Sequence, residues 1–207
     1  MSTSHDPRGG LIRTAKLFYA QGWMVGTSGN LSARLPDGSF WITASGRPKG
    51  ALVESDLLRL DGAGGVLERA DASLRASAET SIHEAVYALF PSARCCFHVH
   101  SVEANVVSRF TDGDELLLPT IEMMKGLGFS GPHAPTIAVF PNHDVVAQIS
   151  DDVRRAFAAK PPALPAFLIR DHGLTVWASD ETTGIHHVEL LTYIFRYMVN
   201  ARAAGLR

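Results

Sequence analysis

Arg94-Cys95-Cys96-Phe97-His98-Val99-His100, followed by Ser101-Val102-Glu103-Ala104-Asn105-Val106-Val107, is an apolar strand pattern that runs into a helical one. Strand side chains alternate, so His98 and His100 project from one face together with Cys96, while Cys95 points to the other. Ser101 stands where it can cap the helix that follows. Two imidazoles at the end of a strand are two of the ligands that a zinc site requires. A lone His-x-His pair is also found simply as two hydrogen-bonded strand histidines. The position of this pair at a strand end favours a metal, provided that a third ligand converges on it.

Working outward, Leu11, Ala15 and Phe18 repeat at helical spacing, and Gly22 is placed as a C-terminal stop. The small polar loop Gly26-Thr27-Ser28-Gly29-Asn30 leads into a hairpin. Its strands are Leu31 to Leu35 and Phe40 to Thr43, and Pro36-Asp37-Gly38 forms the turn. A second such loop, Ala44 to Gly50, precedes two short strands, Leu57 to Leu60 and Val66 to Glu68. Ser77 reads as the N-cap of a helix carrying Ile82, Val86 and Leu89, with Glu79 and Thr80 in its first turn. Beyond the central strand, Leu116 to Thr120 and Thr136 to Phe140 read as strands, and Asn142 as the cap of a helix through Val145, Val146 and Ile149. Ala166 to Ile169 and Leu174 to Trp177 are β runs joined by a tight Arg170-Asp171-His172-Gly173 connection, and Asp180 starts a long final helix.

Short strands mixed with helices predict an α/β fold. The expected architecture is a single domain over 1–207, three-layered α/β/α, with a central mixed and largely antiparallel sheet. There is no Gly-x-Gly-x-x-Gly after a first strand, which argues against a doubly wound dinucleotide fold.

Of 207 residues, 46% are hydrophobic, enough for one sizeable core. The formal net charge is -2 with basic residues scattered, so there is no electrostatic footprint for nucleic acid or an anionic membrane. The polar start Met1-Ser-Thr-Ser-His-Asp-Pro-Arg lacks the apolar run of a signal peptide, and no apolar stretch has membrane-spanning length. A cytoplasmic protein with no membrane partner is expected. The two adjacent cysteines cannot make a disulfide framework, and Cys96 reads as a small buried hydrophobe.

His172, in a tight turn between two apolar strands, is the natural third ligand, although a turn histidine bonding locally has the same signature. Three imidazoles with an open fourth position describe a catalytic rather than a structural zinc site. His83, His143, His186 and His187 read as surface or packing histidines, as does His133 in its Gly-Pro loop. A cupin arrangement of His-Val-His with Glu103 is disfavoured, because the sequence turns helical after the pair.

The set Gly26-Thr27-Ser28-Gly29-Asn30-Leu31-Ser32, Thr43-Ala44-Ser45-Gly46, Ser77-Ala78-Glu79-Thr80, His98-Val99-His100-Ser101 and His172-Gly173 resembles the class II aldolase and adducin head family over essentially the whole chain. Within it, Cys96 to Arg109, Glu122-Met123-Met124-Lys125-Gly126, Val139 to Asp144 and Leu168 to Trp177 resemble the dehydratase branch. That resemblance implies one zinc ion per subunit at His98, His100 and His172. It implies dehydration of 5-methylthioribulose 1-phosphate to a 2,3-diketone in methionine salvage, with Glu122 as acid/base. The aldolases of the family use the Glu79 position for that role, so a retro-aldol cleavage with Glu79 as base is the alternative. An adducin-like interaction domain without chemistry is the third reading, and it predicts loss of the metal histidines, which are all present. By the same pattern the substrate phosphate lies at Thr27, Gly29, Asn30, Ser45, Gly46, Ser77 and Thr80, with Lys49 as a possible countercharge. Ile121, Met123 and Met124 beside Glu122 suggest partial desolvation and a raised carboxyl pKa. Some dehydratases carry a substrate-contacting cysteine at or beside the Glu79 position, where this chain has Glu79-Thr80. The family's usual assembly implies a homotetramer.

Overall fold

The computed structural model describes residues 6–130 and 133–206. Met1–His5, within the polar start discussed above, lies outside them, as does the Gly131-Pro132 pair before His133. In chain order the elements are α1 (Arg8–Ala20), β1 (Asn30–Arg34), β2 (Phe40–Thr43), β3 (Leu57–Leu60), β4 (Val66–Arg69), α2 (Thr80–Leu89), β5 (Cys95–Val99), α3 (Val102–Val107), β6 (Glu115–Leu117), β7 (Thr136–Phe140), α4 (Val146–Ala159), β8 (Ala166–Ile169), β9 (Gly173–Ala178) and α5 (Glu181–Ala203).

Among the described residues the strands form one sheet in the order β4-β3-β2-β1-β5-β9-β8-β7-β6. Only β7 and β8 run parallel; the other neighbours are antiparallel. The mixed, largely antiparallel sheet expected from the hairpins is therefore present. Its alternation sorts two cores. On one face Leu11, Ala15 and Phe18 of α1 pack with Cys95, Phe97 and Val99 of β5 and with Val188, Leu191, Ile194 and Phe195 of α5. On the other, Cys96, Phe167 and Trp177 pack with Ile82 and Val86 of α2 and with Ile149, Val153 and Phe157 of α4. Side chains such as Phe97 and Phe167, fully buried, each contribute roughly 1.5 to 3 kcal/mol through removal from water. Helices on both faces complete the three layers.

Ser101 accepts from the Ala104 N–H at the start of α3, and Asp180 accepts from the Thr183 N–H at the start of α5, as the sequence predicts. Three expectations are corrected. Ser77 is not the cap of α2: the helix starts at Thr80 after Glu79, and Ser77 instead supports the turn before it, accepting from the N–H of Glu79 at its Oγ and of Thr80 at its carbonyl. Asn142 is not the cap of α4, whose N-cap is Val145; its side chain is engaged elsewhere, as described below. The strand expected through Thr120 ends at Leu117: Leu118 makes one more bond in register, to the Pro135 carbonyl, and Pro119 then has no N–H for the ladder.

Candidate active site

β5 and β9 pair in register from Cys95 opposite Ala178 to Val99 opposite Leu174. The end of β5 therefore lies beside the turn that enters β9, and His172 in that turn meets His98 and His100. His98 Nε2 is 2.9 Å from His100 Nε2 and 3.4 Å from His172 Nε2. Glu79, at the start of α2, adds a fourth donor: its Oε1 is 2.8 Å from His172 Nε2, 3.7 Å from His98 Nε2 and 3.8 Å from His100 Nε2. The four ligand atoms all lie within 4.8 Å of one another.

Two glycines permit this approach. A Cβ on Gly173 would stand 2.4 Å from the Val99 carbonyl oxygen, and one on Gly29, whose φ is +72°, would stand 2.6 Å from that of His98. The turn before His172 is held from the segment that follows α3. The Arg170 guanidinium donates to the carbonyls of Ser108, Thr111 and Gly113. Asp171 adopts φ +54°, donates its N–H to Ser108 Oγ and accepts from Arg109 Nε. A non-glycine residue in the left-handed region persists only where its surroundings over-determine it, and these bonds do so.

The donor set fits a metal ion. His172 Nδ1 faces the Asn142 side-chain oxygen at 3.2 Å, which can only accept, so Nδ1 carries a proton and Nε2 is the nitrogen turned to the centre. Nε2 stands 2.8 Å from a Glu79 carboxylate oxygen, and a metal ion can take the place of a proton between them. His98 Nδ1 is similarly engaged with Thr175 Oγ1 at 2.9 Å, leaving its Nε2 toward the centre. Such outer contacts fix tautomer and ring orientation in metal sites. Zinc bonds of about 2.0 to 2.1 Å in a tetrahedron separate ligands by about 3.3 Å, within the spread observed here.

Electrostatics agree. Burial holds the His98 pKa well below its usual value and lowers that of His100 to about 4, so both rings are neutral and able to ligate. Burial alone raises the Glu79 pKa, and positive charge at the histidine centre, at His98 first and then at His172 and His100, would hold the carboxyl below the usual carboxylate range; with the rings neutral, that charge falls to a bound cation.

Beside the cluster lies a cavity of about 400 Å³. Thr27, Gly29, Asn30, Ser45, Gly46 and Ser77 line it together with Lys49, Glu79 and His100. The two small polar loops and the turn before α2, far apart in sequence, thus share one wall. Thr80 is not in this lining, and its hydroxyl is buried without a hydrogen-bond partner among the described residues. Lys49 is buried, and its ammonium donates to the carbonyls of Thr27 and Arg47, tying the two loops together. Burial lowers its pKa to about 8 against the pull of Glu79 and Asp56.

Glu122 is not brought to the histidines within the chain. It begins a 3-10 turn, Glu122–Leu127, its side chain is 80% exposed, and its partner is Lys125 at 2.8 Å. The flanking Ile121 and Met124 therefore do not desolvate it here as expected from sequence; they line, with Glu122, a separate cleft.

Two residues near the cluster escaped sequence reading. Asn142, expected as a helix cap, orients His172. His83, expected at the surface or in packing, is fully buried, with Nδ1 2.7 Å from Ser32 Oγ and Nε2 against the Asn30 side-chain oxygen. Its signal was its place four residues after Glu79, on the same helix face.

The class II aldolase and adducin N-terminal domain model matches residues 10–199 of the chain. A protein of Microcystis aeruginosa named methylthioribulose-1-phosphate dehydratase is 50% identical over 197 residues, covering 95% of this chain and 96% of that protein. A Leptospira biflexa protein of the same name is 37% identical over 199 residues, covering 91% and 94%. Among solved structures, the l-fuculose-1-phosphate aldolase of Thermus thermophilus superposes with a TM-score of 0.75 over 96% of both chains at 23% identity, a likeness of fold.

Proposed function

Because the chain belongs to the class II aldolase and adducin N-terminal domain family, we propose, from that membership and the site geometry, that it dehydrates 5-methylthioribulose 1-phosphate to 2,3-diketo-5-methylthiopentyl 1-phosphate, as a hydro-lyase of methionine salvage. The observation that carries this reading is the convergence of His98, His100, His172 and Glu79 beside a cavity walled by two backbone-rich polar loops, in a chain 50% identical to a protein named for that reaction. The dehydratase name of the relatives favours it over aldol cleavage, since the likeness to the fuculose-phosphate aldolase is one of fold.

His98, His100 and His172 would hold a zinc ion, which would supply Lewis acidity at the substrate carbonyl and so make the neighbouring C–H acidic. The loops at Thr27, Gly29, Asn30, Ser45, Gly46 and Ser77 hold the phosphate with backbone N–H groups and small hydroxyls, and Lys49 supplies the cation of that wall. Thr80 stands behind them at the start of α2. Glu122 takes the C3 proton and returns it to the departing C4 hydroxyl, so that water leaves and the resulting enol becomes the C3 ketone. Glu79 faces the three histidines and holds the cluster.

The whole chain, 1–207, acts as one domain in a cytoplasmic homotetramer. Exposed Val102 and Val106 of α3 and Tyr193 and Tyr197 of α5 suit burial against further copies, and the exposed Glu122 turn suits a site completed at such an interface. Incubating the zinc-loaded protein with 5-methylthioribulose 1-phosphate tests the reading: one diketone phosphate that keeps all its carbons is expected. Two smaller fragments would indicate aldol cleavage and overturn it.

A further inference from the structure

Behind Glu79 a run of hydrogen bonds passes through the protein interior. Asn30 Nδ2 donates to Glu79 Oε2, Asn30 Oδ1 faces His83 Nε2, His83 Nδ1 is 2.7 Å from Ser32 Oγ, and Ser32 Oγ is 2.7 Å from the Tyr87 hydroxyl. Asn30, Ser32, His83 and Tyr87 are all buried.

The direction of every bond follows from its neighbours. A carboxylate accepts only, so the Asn30 amide nitrogen must face Glu79 and its oxygen must face His83. A carbonyl oxygen also accepts only, so His83 carries its proton on Nε2. Burial lowers the His83 pKa to about 4, which leaves the ring neutral and Nδ1 an acceptor. Ser32 then donates to Nδ1 and accepts from Tyr87, whose phenol burial keeps protonated. The alternative acceptor for the Ser32 hydroxyl, the Cys96 carbonyl, is 3.4 Å away. Turning Asn30 over would set its oxygen against the carboxylate and its nitrogen against an N–H.

We propose that His83 is a positioning residue for Glu79: through Asn30 it fixes one carboxylate oxygen, so that the other is aimed at the three histidines. Ser32 and Tyr87 select the tautomer that makes this possible. The Asn30 amide is correspondingly committed, with one N–H left for the cavity. The inference rests on the metal reading of the cluster, but the arrangement of protons does not.

Long-range proton–nitrogen correlation on the metal-free, histidine-labelled protein reads that arrangement directly. His83 is expected as the neutral Nε2–H tautomer; an Nδ1–H tautomer or an imidazolium would overturn the proposal. Zinc affinity is then measured by chelator competition. His83→Leu is expected to weaken binding by up to about 10-fold, the lower end of the range for loss of a group bonded directly to a ligand, because His83 acts through Asn30. His83→Gln, which can donate to Asn30 and accept from Ser32, is expected to recover most of it. A folded His83→Leu protein with the parent's affinity, or a His83→Gln protein as weak as His83→Leu, contradicts the role. If His83→Leu does not fold, Ser32→Ala carries the test: a mixed tautomer and roughly 3-fold or greater weakening are expected, and one tautomer at parental affinity sinks the idea. A parent protein that binds no zinc would instead retire the metal reading, whatever the tautomer.

Discussion

The histidine cluster and the Glu122 turn are opposites in construction. His98, His100 and His172 come from strand ends whose ladder fixes them in register, and partners stand behind them: Thr175 for His98, Asn142 for His172 and Asn30 for the neighbouring Glu79. Glu122 opens a short 3-10 turn, with one exposed lysine as its partner. The first region is complete within one chain and preorganised for binding. The second has an exposed carboxylate at the edge of a separate cleft. The sheet thus supplies what must not move, and the acid/base we propose is carried on a segment that one chain leaves exposed.

The hardest test of this contrast is removal of a ligand. His98→Ala or His172→Ala should release zinc and lower turnover to background, since polarisation by the metal amounts to several kcal/mol of transition-state stabilisation; metal analysis and product assay on the same sample decide. The two carboxylates should then separate. Glu122→Gln is expected to retain zinc and lower kcat by roughly 10² to 10⁴, the range for a positioned acid/base. Glu79→Gln is expected to weaken zinc binding first, because it replaces an anion by a neutral amide facing three neutral rings. If Glu122→Gln kept normal dehydration, the division of labour would collapse onto Glu79.

Lys49 breaks the comparison in another way, being a buried cation in the preorganised region. Losing a charged hydrogen-bonding group costs about 1.5 to 3 kcal/mol, so Lys49→Met should raise KM by about tenfold or more with a smaller change in kcat. As pH rises through about 8 the folded amine loses its charge, and inhibition by inorganic phosphate should weaken between pH 7 and 9 in the parent but not in Lys49→Met. Stability runs the other way. The unfolded lysine keeps its proton to about 10.4, so between these values the unfolded state binds more protons. This group's contribution therefore rises with pH across that window and is least below it.

What could be read from the sequence follows the same divide. Alternation along β5 put His98 and His100 together and Cys95 opposite to Cys96, and single side chains such as Ser101 and Asp180 announced their helices. These are local rules, acting over a few residues. The Arg170 contacts with Ser108, Thr111 and Gly113, and the Asn142 contact with His172, join segments that come together only when β5, β8 and β9 pair, so nothing nearby in sequence betrays them. His83 was legible in spacing but not in burial. The family motifs located Glu122, yet the local apolar neighbours misled about its surroundings, because Ile121 and Met124 turn into a cleft that leaves the carboxylate in water.

The smallest effect sharpens the comparison most. The Lys125–Glu122 pair has a 2.8 Å contact, with side chains 62% and 80% exposed, and exposed pairs of this kind contribute about 0 to 1 kcal/mol. In a monomeric protein at low concentration, Lys125→Met should therefore leave the thermal midpoint almost unchanged. In the assembled protein, a neighbouring copy over this turn would remove water from both charges, and loss of one partner from a buried pair costs about 3 to 5 kcal/mol. Measuring the midpoint of parent and variant across a range of protein concentration distinguishes the two. A difference that grows with assembly means that the Glu122 region is enclosed from outside the chain. A difference that stays near zero means that it is solvated even in the oligomer, and that its carboxylate must work without the desolvation the histidine cluster enjoys.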